Sequence, residues 1–285
     1  MSTYKQFALA NAFAVGLSAS AILASTMLGG CRQDHYGHSH HGDPTMPAEH
    51  NHVHEPRVLA GPAETMPGVD LIVHRDPMSG WNLQLVTKNF RFAPGKASTE
   101  YRDGEGHAHV FVDGKKLSRV YENWYHIGSL APGERKISVE LSGNDHTQLR
   151  YGDAAIADTE TVTAAAGKHV HSAHQPRTLD GPENALPSID LVVHRDPKSG
   201  WNLQLVTKNF RFAPDHVSTG HRDGEGHAHL YVDGKKLTRV YGEWHYLGPL
   251  AAGKHEIAVE LSANDHSPLF AGKTAIRDKE VVKVD

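Results

Sequence analysis

Gly104-Glu105-Gly106-His107-Ala108-His109-Val110-Phe111-Val112-Asp113-Gly114-Lys115-Lys116 carries the alternation of a β-strand closed by a tight turn. Ala108, Val110 and Val112 alternate with His107, His109 and Phe111, so the small and branched apolar side chains share one face. Asp113-Gly114 suits the left-handed backbone of a two-residue hairpin, which sends the chain back through residues 117–121. The stretch returns as Gly224-Glu225-Gly226-His227-Ala228-His229-Leu230-Tyr231-Val232-Asp233-Gly234-Lys235-Lys236. The chain therefore holds two copies of one strand-and-turn unit, each with a His-x-His pair.

Working outward, an offset of 120 residues aligns residues 67–146 with 187–266 without a gap. Residues 79–94 match residues 199–214 at every position. Two long copies imply two similar domains rather than a solenoid of short repeats. Within a copy the periods are those of strands. Trp81, Leu83 and Leu85 alternate with Asn82, Gln84 and Val86, and Ile137, Val139 and Leu141 alternate with Ser138 and Glu140. A weaker final strand is expected over residues 159–163 and a clearer one over 280–284. No stretch has the length and period of a helix. Short strands with turn signals between them predict an all-β chain of two tandem immunoglobulin-like antiparallel β-sandwiches, over residues 58–165 and 178–285.

The first 57 residues are of another kind. Residues 1–30 hold Lys5 and then a mostly apolar run, the pattern of an export signal. The run ends Leu28-Gly29-Gly30-Cys31, which resembles the lipobox of bacterial lipoproteins. That resemblance implies a lipid on Cys31, the only cysteine, which also rules out an intrachain disulfide. A plain transmembrane anchor is the competing expectation, weakened by Asn11, Ser18, Ser20, Ser25 and Thr26. Either way the rest of the chain is expected at the membrane surface of the bacterial cell envelope, facing the periplasm. Residues 31–57 carry His35, His38, His40, His41, His50, His52 and His54 among Gly, Pro, Asp and Asn. Such a composition offers too little apolar surface to offset ordering entropy, so a disordered, auxiliary metal-collecting tether is expected. A linker over 166–177 adds His169, His171 and His174.

The chain has 23 histidines in 285 residues and a net charge of -4 with them neutral. Nothing there marks a nucleic-acid surface. Histidine titrates near ~6.5, so these imidazoles are mostly neutral and available to metals at pH 7. Residues i and i+2 of a strand point to one side, about 6.5 Å apart. His107 with His109, and His227 with His229, can therefore turn two imidazoles to one ion, at about 2.0–2.1 Å. His146 and His266 close Asn-Asp-His just beyond a strand and are the expected third ligands. His74 and His194, at strand ends, are candidate fourth ligands, with turn capping through Asp76 the alternative for His74. His126 and His245 sit one position apart between the copies, so they face opposite sides of the sheet and fall outside the set. Asp145 and Asp265 suit turn capping. An all-imidazole set suits copper first and zinc second; Met78 becomes Lys198, which argues against a required thioether.

The repeat, from Gly80-Trp81-Asn82-Leu83 through Gly-His-Ala-His and Val-Asp-Gly to Asn144-Asp145-His146, resembles a family of small bacterial periplasmic His-rich β-sandwich domains. It is similar in size and histidine usage to copper-handling envelope proteins. The resemblance carries over no activity; the repeated His-x-His strand beside His-rich segments is what points to metal sequestration, or delivery to an envelope partner protein, without catalysis. Two other functions compete. One is a structural or adhesion module with surface histidines. The other is a zinc metalloenzyme with Glu105 as general base, for which neither a nucleophile pattern nor paired carboxylates appear.

Overall fold

The computed structural model describes residues 55–165 and 174–285. In the first repeat the strands are β1 (Arg57–Leu59), β2 (Gly68–Arg75), β3 (Trp81–Lys88), β4 (Arg91–Phe92), β5 (Glu105–Val112), β6 (Lys115–Val120), β7 (Trp124–Ile127), β8 (Gly133–Gly143), β9 (Leu149–Tyr151), β10 (Ala154–Ala155) and β11 (Ala157–Ala164). The second repeat reproduces all eleven, from Arg177–Leu179 to Arg277–Val284. Among the described residues the only helical pieces are single 3-10 turns such as Ala63–Thr65 and Pro94–Lys96. The described residues are all-β, in two tandem β-sandwiches.

Each sandwich packs a three-stranded sheet, β2-β3-β7, on a five-stranded one, in which β11, β8, β5 and β4 follow one another and β6 also pairs with β5. Leu71, Leu83 and Leu85 from the first sheet share a core with Ala108, Val110, Ile137, Val139 and Leu141 from the second. Burial of each leucine contributes about 1.5–3 kcal/mol. The sheets are not purely antiparallel as expected: β4 runs parallel to β5, and β1 parallel to β9. Pairing of β1 with β9 starts at Arg57, and its counterpart starts at Arg177. A three-residue strand leaves no readable period, so the sequence alone does not mark these pairings. The rest of the tether through residue 54, Cys31 and the signal, and linker residues 166–173, lie outside the described residues.

Two local devices shape the His-x-His strand. Asp113 and Gly114 both take positive φ, 51° and 77°, and make the expected hairpin between β5 and β6. A Cβ on Gly106 would stand 2.0 Å from the Ser142 carbonyl oxygen. Only glycine lets β5 approach β8 that closely where the histidines begin.

The two repeats dock through reciprocal contacts. Arg119 pairs with Asp196 at 3.0 Å, and Arg239 with Asp76. Tyr121 Oη donates to Asn202 Oδ1, and Tyr241 Oη to Asn82 Oδ1, both at 2.8 Å. Each contact recurs with the repeats exchanged, which is the pattern of a twofold, isologous interface. Glu122 breaks the symmetry. Its counterpart is Gly242, and the Glu122 carboxyl fills the space where a Gly242 Cβ would stand. There it accepts the Trp244 backbone N–H at 3.1 Å.

Burial pushes the Glu122 carboxyl up to about 7, helped by Glu243 and opposed by the Trp244 N–H. A raised acid pKa means the folded chain holds a proton that the unfolded chain has released, so stability falls as pH rises from about 4.5 to about 7. Glu122→Gln keeps the acceptor and removes the charge. Denaturant unfolding should therefore show the variant more stable than wild type by about 2–3 kcal/mol at pH 8 and near parity at pH 5. Equal differences at both pH values would show that Glu122 does not titrate in this window.

Candidate metal centre

β5 presents His107 and His109 on the face opposite Ala108 and Val110. The register sets His107 against Ser142 on β8, and His109 against Glu140 on β8 and Arg119 on β6. An outer sheet face is ordinarily wet, yet His107 and His227 are each 1% exposed. Tyr121 lies beside the His107 ring and Tyr241 beside that of His227. These are the tyrosines that cross to the other repeat.

His146 follows β8 in a turn where its N–H donates to the Gly143 carbonyl at 3.0 Å. Its φ is 69°, and that of His266 is 66°. Histidine is among the few non-glycine residues that tolerate this left-handed backbone. This turn swings the ring back over β5. His107, His109 and His146 then form one cluster, and His227, His229 and His266 form another, with one ring nitrogen from each residue within 4.8 Å of the others. The Nε2 atoms of His107 and His109 are 3.1 Å apart, as are those of His227 and His229. Nδ1 of His266 is 3.1 Å from Nε2 of His227. Nitrogens bound to one ion at about 2.0–2.1 Å stand about 3.3 Å apart at a tetrahedral angle. The closest pairs are already at that spacing, and only the widest must close.

Charge state and tautomer also suit a cation. Burial, then the neighbouring imidazoles and Arg and Lys charges, hold His107 and His227 well below the usual histidine range. Burial, then Lys116 and Arg119, does the same for His109. Burial, then Arg119 or Arg239, brings His146 and His266 down to about 4. All six are neutral at pH 7, as metal ligation requires.

Ser98 Oγ is 2.7 Å from His146 Nε2 and 3.2 Å from Asp196; Ser218 Oγ is 2.8 Å from His266 Nε2 and 3.4 Å from Asp76. With each serine hydroxyl donating to the carboxylate, its oxygen accepts the Nε2–H. That assigns the proton to Nε2 and leaves the Nδ1 lone pair to the cluster. A hydroxyl and a carboxylate, the latter from the other repeat, thus orient the ring as they would orient a metal-ligating histidine. Ser142 and Ser262 lie 3.4 Å and 3.3 Å from Nδ1 of His109 and His229. Nδ1 of His107 and of His227 is buried without a partner.

His74 and His194 are not brought to these clusters. The His74 ring stacks on Trp124 at 5.4 Å and its Nε2 lies 3.4 Å from the Gln84 amide oxygen; His194 stacks on Trp244 at 5.6 Å. Both sit on the three-stranded sheet, whereas the clusters lie on the five-stranded one. Asp145 and Asp265 close their turns on Thr147 and Ser267. Glu105 is engaged by Lys96 and Arg91.

Sequence reasoning missed three participants. Asp76, expected to shape a turn, does accept the N–H groups of Met78 and Ser79, but also pairs with Arg239. Burial works to raise its pKa; Arg239, Ser79 and Asn82 outweigh burial and hold the carboxyl well below the usual range. His126, set aside on register, does sit opposite Asn82 where Tyr246 sits opposite Asn202. It lies across the repeat interface, lining a cleft of about 610 Å³ with His174, His229, His266 and Lys236. Lys236 Nζ is 3.1 Å from His229 Nε2, and burial brings this amine down to about 8.

No family model matches the chain, and no curated protein matches it. Among solved structures it is similar to the central fibronectin-III array of RIM-binding protein, at 11% identity and a TM-score of 0.23, covering 78% of this chain and 62% of that one. It is similar to the CbhA fibronectin(III)-like modules of Clostridium thermocellum, at 12% identity and a TM-score of 0.24, covering 77% and 94%. A β-glycosidase from Bacteroides vulgatus gives 10% identity and a TM-score of 0.20, covering 76% and 25%. At these scores none of the three bears on what the chain does.

Proposed function

We propose that this chain is a lipid-anchored protein of the bacterial envelope that binds one divalent transition-metal ion in each repeat. Copper is the first candidate and zinc the second, bound for sequestration or for hand-over to an envelope partner. The observation that carries this is the pair of neutral three-histidine clusters, the second buried throughout and the first buried at His107, each with the third ring held in one tautomer. An all-imidazole donor set suits Cu(II) and Zn(II). The signal-like segment, Cys31 and the histidines before residue 55 support the location and a collecting role. The ion pairs on Glu105 support a binding rather than a catalytic role.

Titration of the full chain with Cu(II) or Zn(II), against a chelator that empties weak sites, should show one tight ion per repeat. His107→Ala with His109→Ala should remove one ion, and adding His227→Ala with His229→Ala should remove the other. Unchanged stoichiometry would sink the site assignment. One observation favours a second reading, in which the clusters serve packing in a structural module: Lys236 already caps the lone pair of His229, and a cation there opposes another. That reading predicts no ion bound tighter than micromolar.

A further inference from the structure

The two centres are built alike but their surroundings differ, and one difference supplies a ligand. His174 stands just before the strand Arg177–Leu179. That strand is pinned beside the His266 turn: Arg177 N–H donates to the Pro268 carbonyl at 2.8 Å, and the Arg177 guanidinium pairs with Asp265 at 2.8 Å. A short segment fastened at that point keeps the His174 ring close to His266. Their ring centroids are 5.8 Å apart and the planes are inclined at 43°.

Two imidazoles sharing one ion at about 2.0–2.1 Å hold their centroids about 4.5–6.5 Å apart. The separations within the second cluster, 4.7, 4.9 and 6.5 Å, span the same range; His174 meets it with His266, and its nitrogen, outside the 4.8 Å set of the other three, must swing inward to share their ion. His174 Nε2 is buried and has no hydrogen-bond partner. The ring lines the cleft that also exposes His229 and His266. A buried imidazole nitrogen without a partner costs free energy unless something binds it. The neighbouring three-histidine cluster offers an ion only three imidazole donors, one fewer than a tetrahedral site takes.

We propose that His174 is the fourth ligand of the second centre and closes it around a divalent ion of the Cu(II) or Zn(II) class. This rests on the metal-binding reading above. A four-imidazole site leaves no position for water or substrate, which is the character of a holding site rather than a reactive one. His174 comes from the segment before its repeat, so the second centre gains a ligand that β5-type and β8-type strands do not supply. The ion there is held by residues on both sides of the Arg177–Asp265 pin.

The test uses the full chain carrying His107→Ala and His109→Ala, so that the second centre alone is read, with Zn(II) as the probe and a chelating competitor. X-ray absorption should count four nitrogens near 2.0–2.1 Å. His174→Ala should replace one nitrogen by oxygen and weaken Zn(II) at least tenfold, since even outer partners of a ligand are worth that much. His174→Gln, which preserves bulk and polarity, should weaken binding alike. Three nitrogens with an oxygen in the parent, and unchanged affinity in both variants, would overturn the fourth ligand while leaving the three-histidine site standing. Absence of any tightly held Zn(II) in the parent would overturn both.

Discussion

The metal-free protein should unfold in mild acid, with most of its stability gone about one pH unit below 6.5. His107, His109, His227 and His229 are held well below the usual histidine range, chiefly by burial. Burial also brings His146, His245 and His266 to about 4 and His126 to about 3. The sign follows from linkage. Between the folded pKa values and about 6.5, the unfolded chain binds protons that the folded chain refuses, so stability falls as pH falls. Each such group costs about 1.4 kcal/mol per pH unit. Eight of them cost of order 10 kcal/mol over one unit, comparable with the whole stability of a typical domain. Asp76 and Asp196, also held low, add to the loss only near pH 4 and below. Denaturant midpoints between pH 8 and pH 5 would measure the slope. A flat profile across pH 6.5 to 5.5 would mean that the imidazoles are not buried. Zn(II) in excess should move the acid transition downward, because an ion that binds only the folded chain stabilises it by mass action.

Asp76→Ala should be the most damaging single change at the repeat interface, lowering stability by about 3–5 kcal/mol. The Asp76 side chain is fully buried and that of Arg239 is 5% exposed. Removing the carboxylate strands a buried guanidinium and orphans the N–H groups of Met78 and Ser79. It also removes the acceptor behind Ser218 and His266, so metal affinity should fall about 10–100-fold at the second centre and little at the first. The matched change Asp196→Ala should reverse that preference. If Asp76→Ala weakened both centres equally, or the first one more, the cross-repeat wiring described above would be wrong. Thermal unfolding and the chelator-competed titration read the two effects separately.

Much of the fold was legible because strand periodicity is local. The alternation around Ala108 and Val110, the Asp113-Gly114 turn and the 120-residue offset needed no distant information. The proposed ligand set was partly legible for the same reason: His107 and His109 are two apart on one strand, and His146 follows the strand paired with it. What stayed hidden is what docking decides. The outer face of β5 reads as solvent-exposed from its own residues, whereas Tyr121 and His146, distant in sequence, fold over His107. Asp76 reads as a turn residue because its turn contacts are local and its Arg239 contact spans 163 positions. His74 shares a strand-end pattern with His146 but lies on the other sheet, where Trp124 takes its ring. The one-position shift of His126 correctly separated it from His245, yet gave no hint that it crosses to the second centre.

Anomalous diffraction from crystals of the chain soaked with Cu(II) or Zn(II), recorded at the metal edge, tests the central claim most directly. The predicted result is one strong peak per repeat, within about 2.0–2.1 Å of Nε2 of His107, Nε2 of His109 and Nδ1 of His146, and likewise for His227, His229 and His266. Peaks confined to surface histidines such as His74 or His194, with both buried clusters empty at saturating metal, would contradict it.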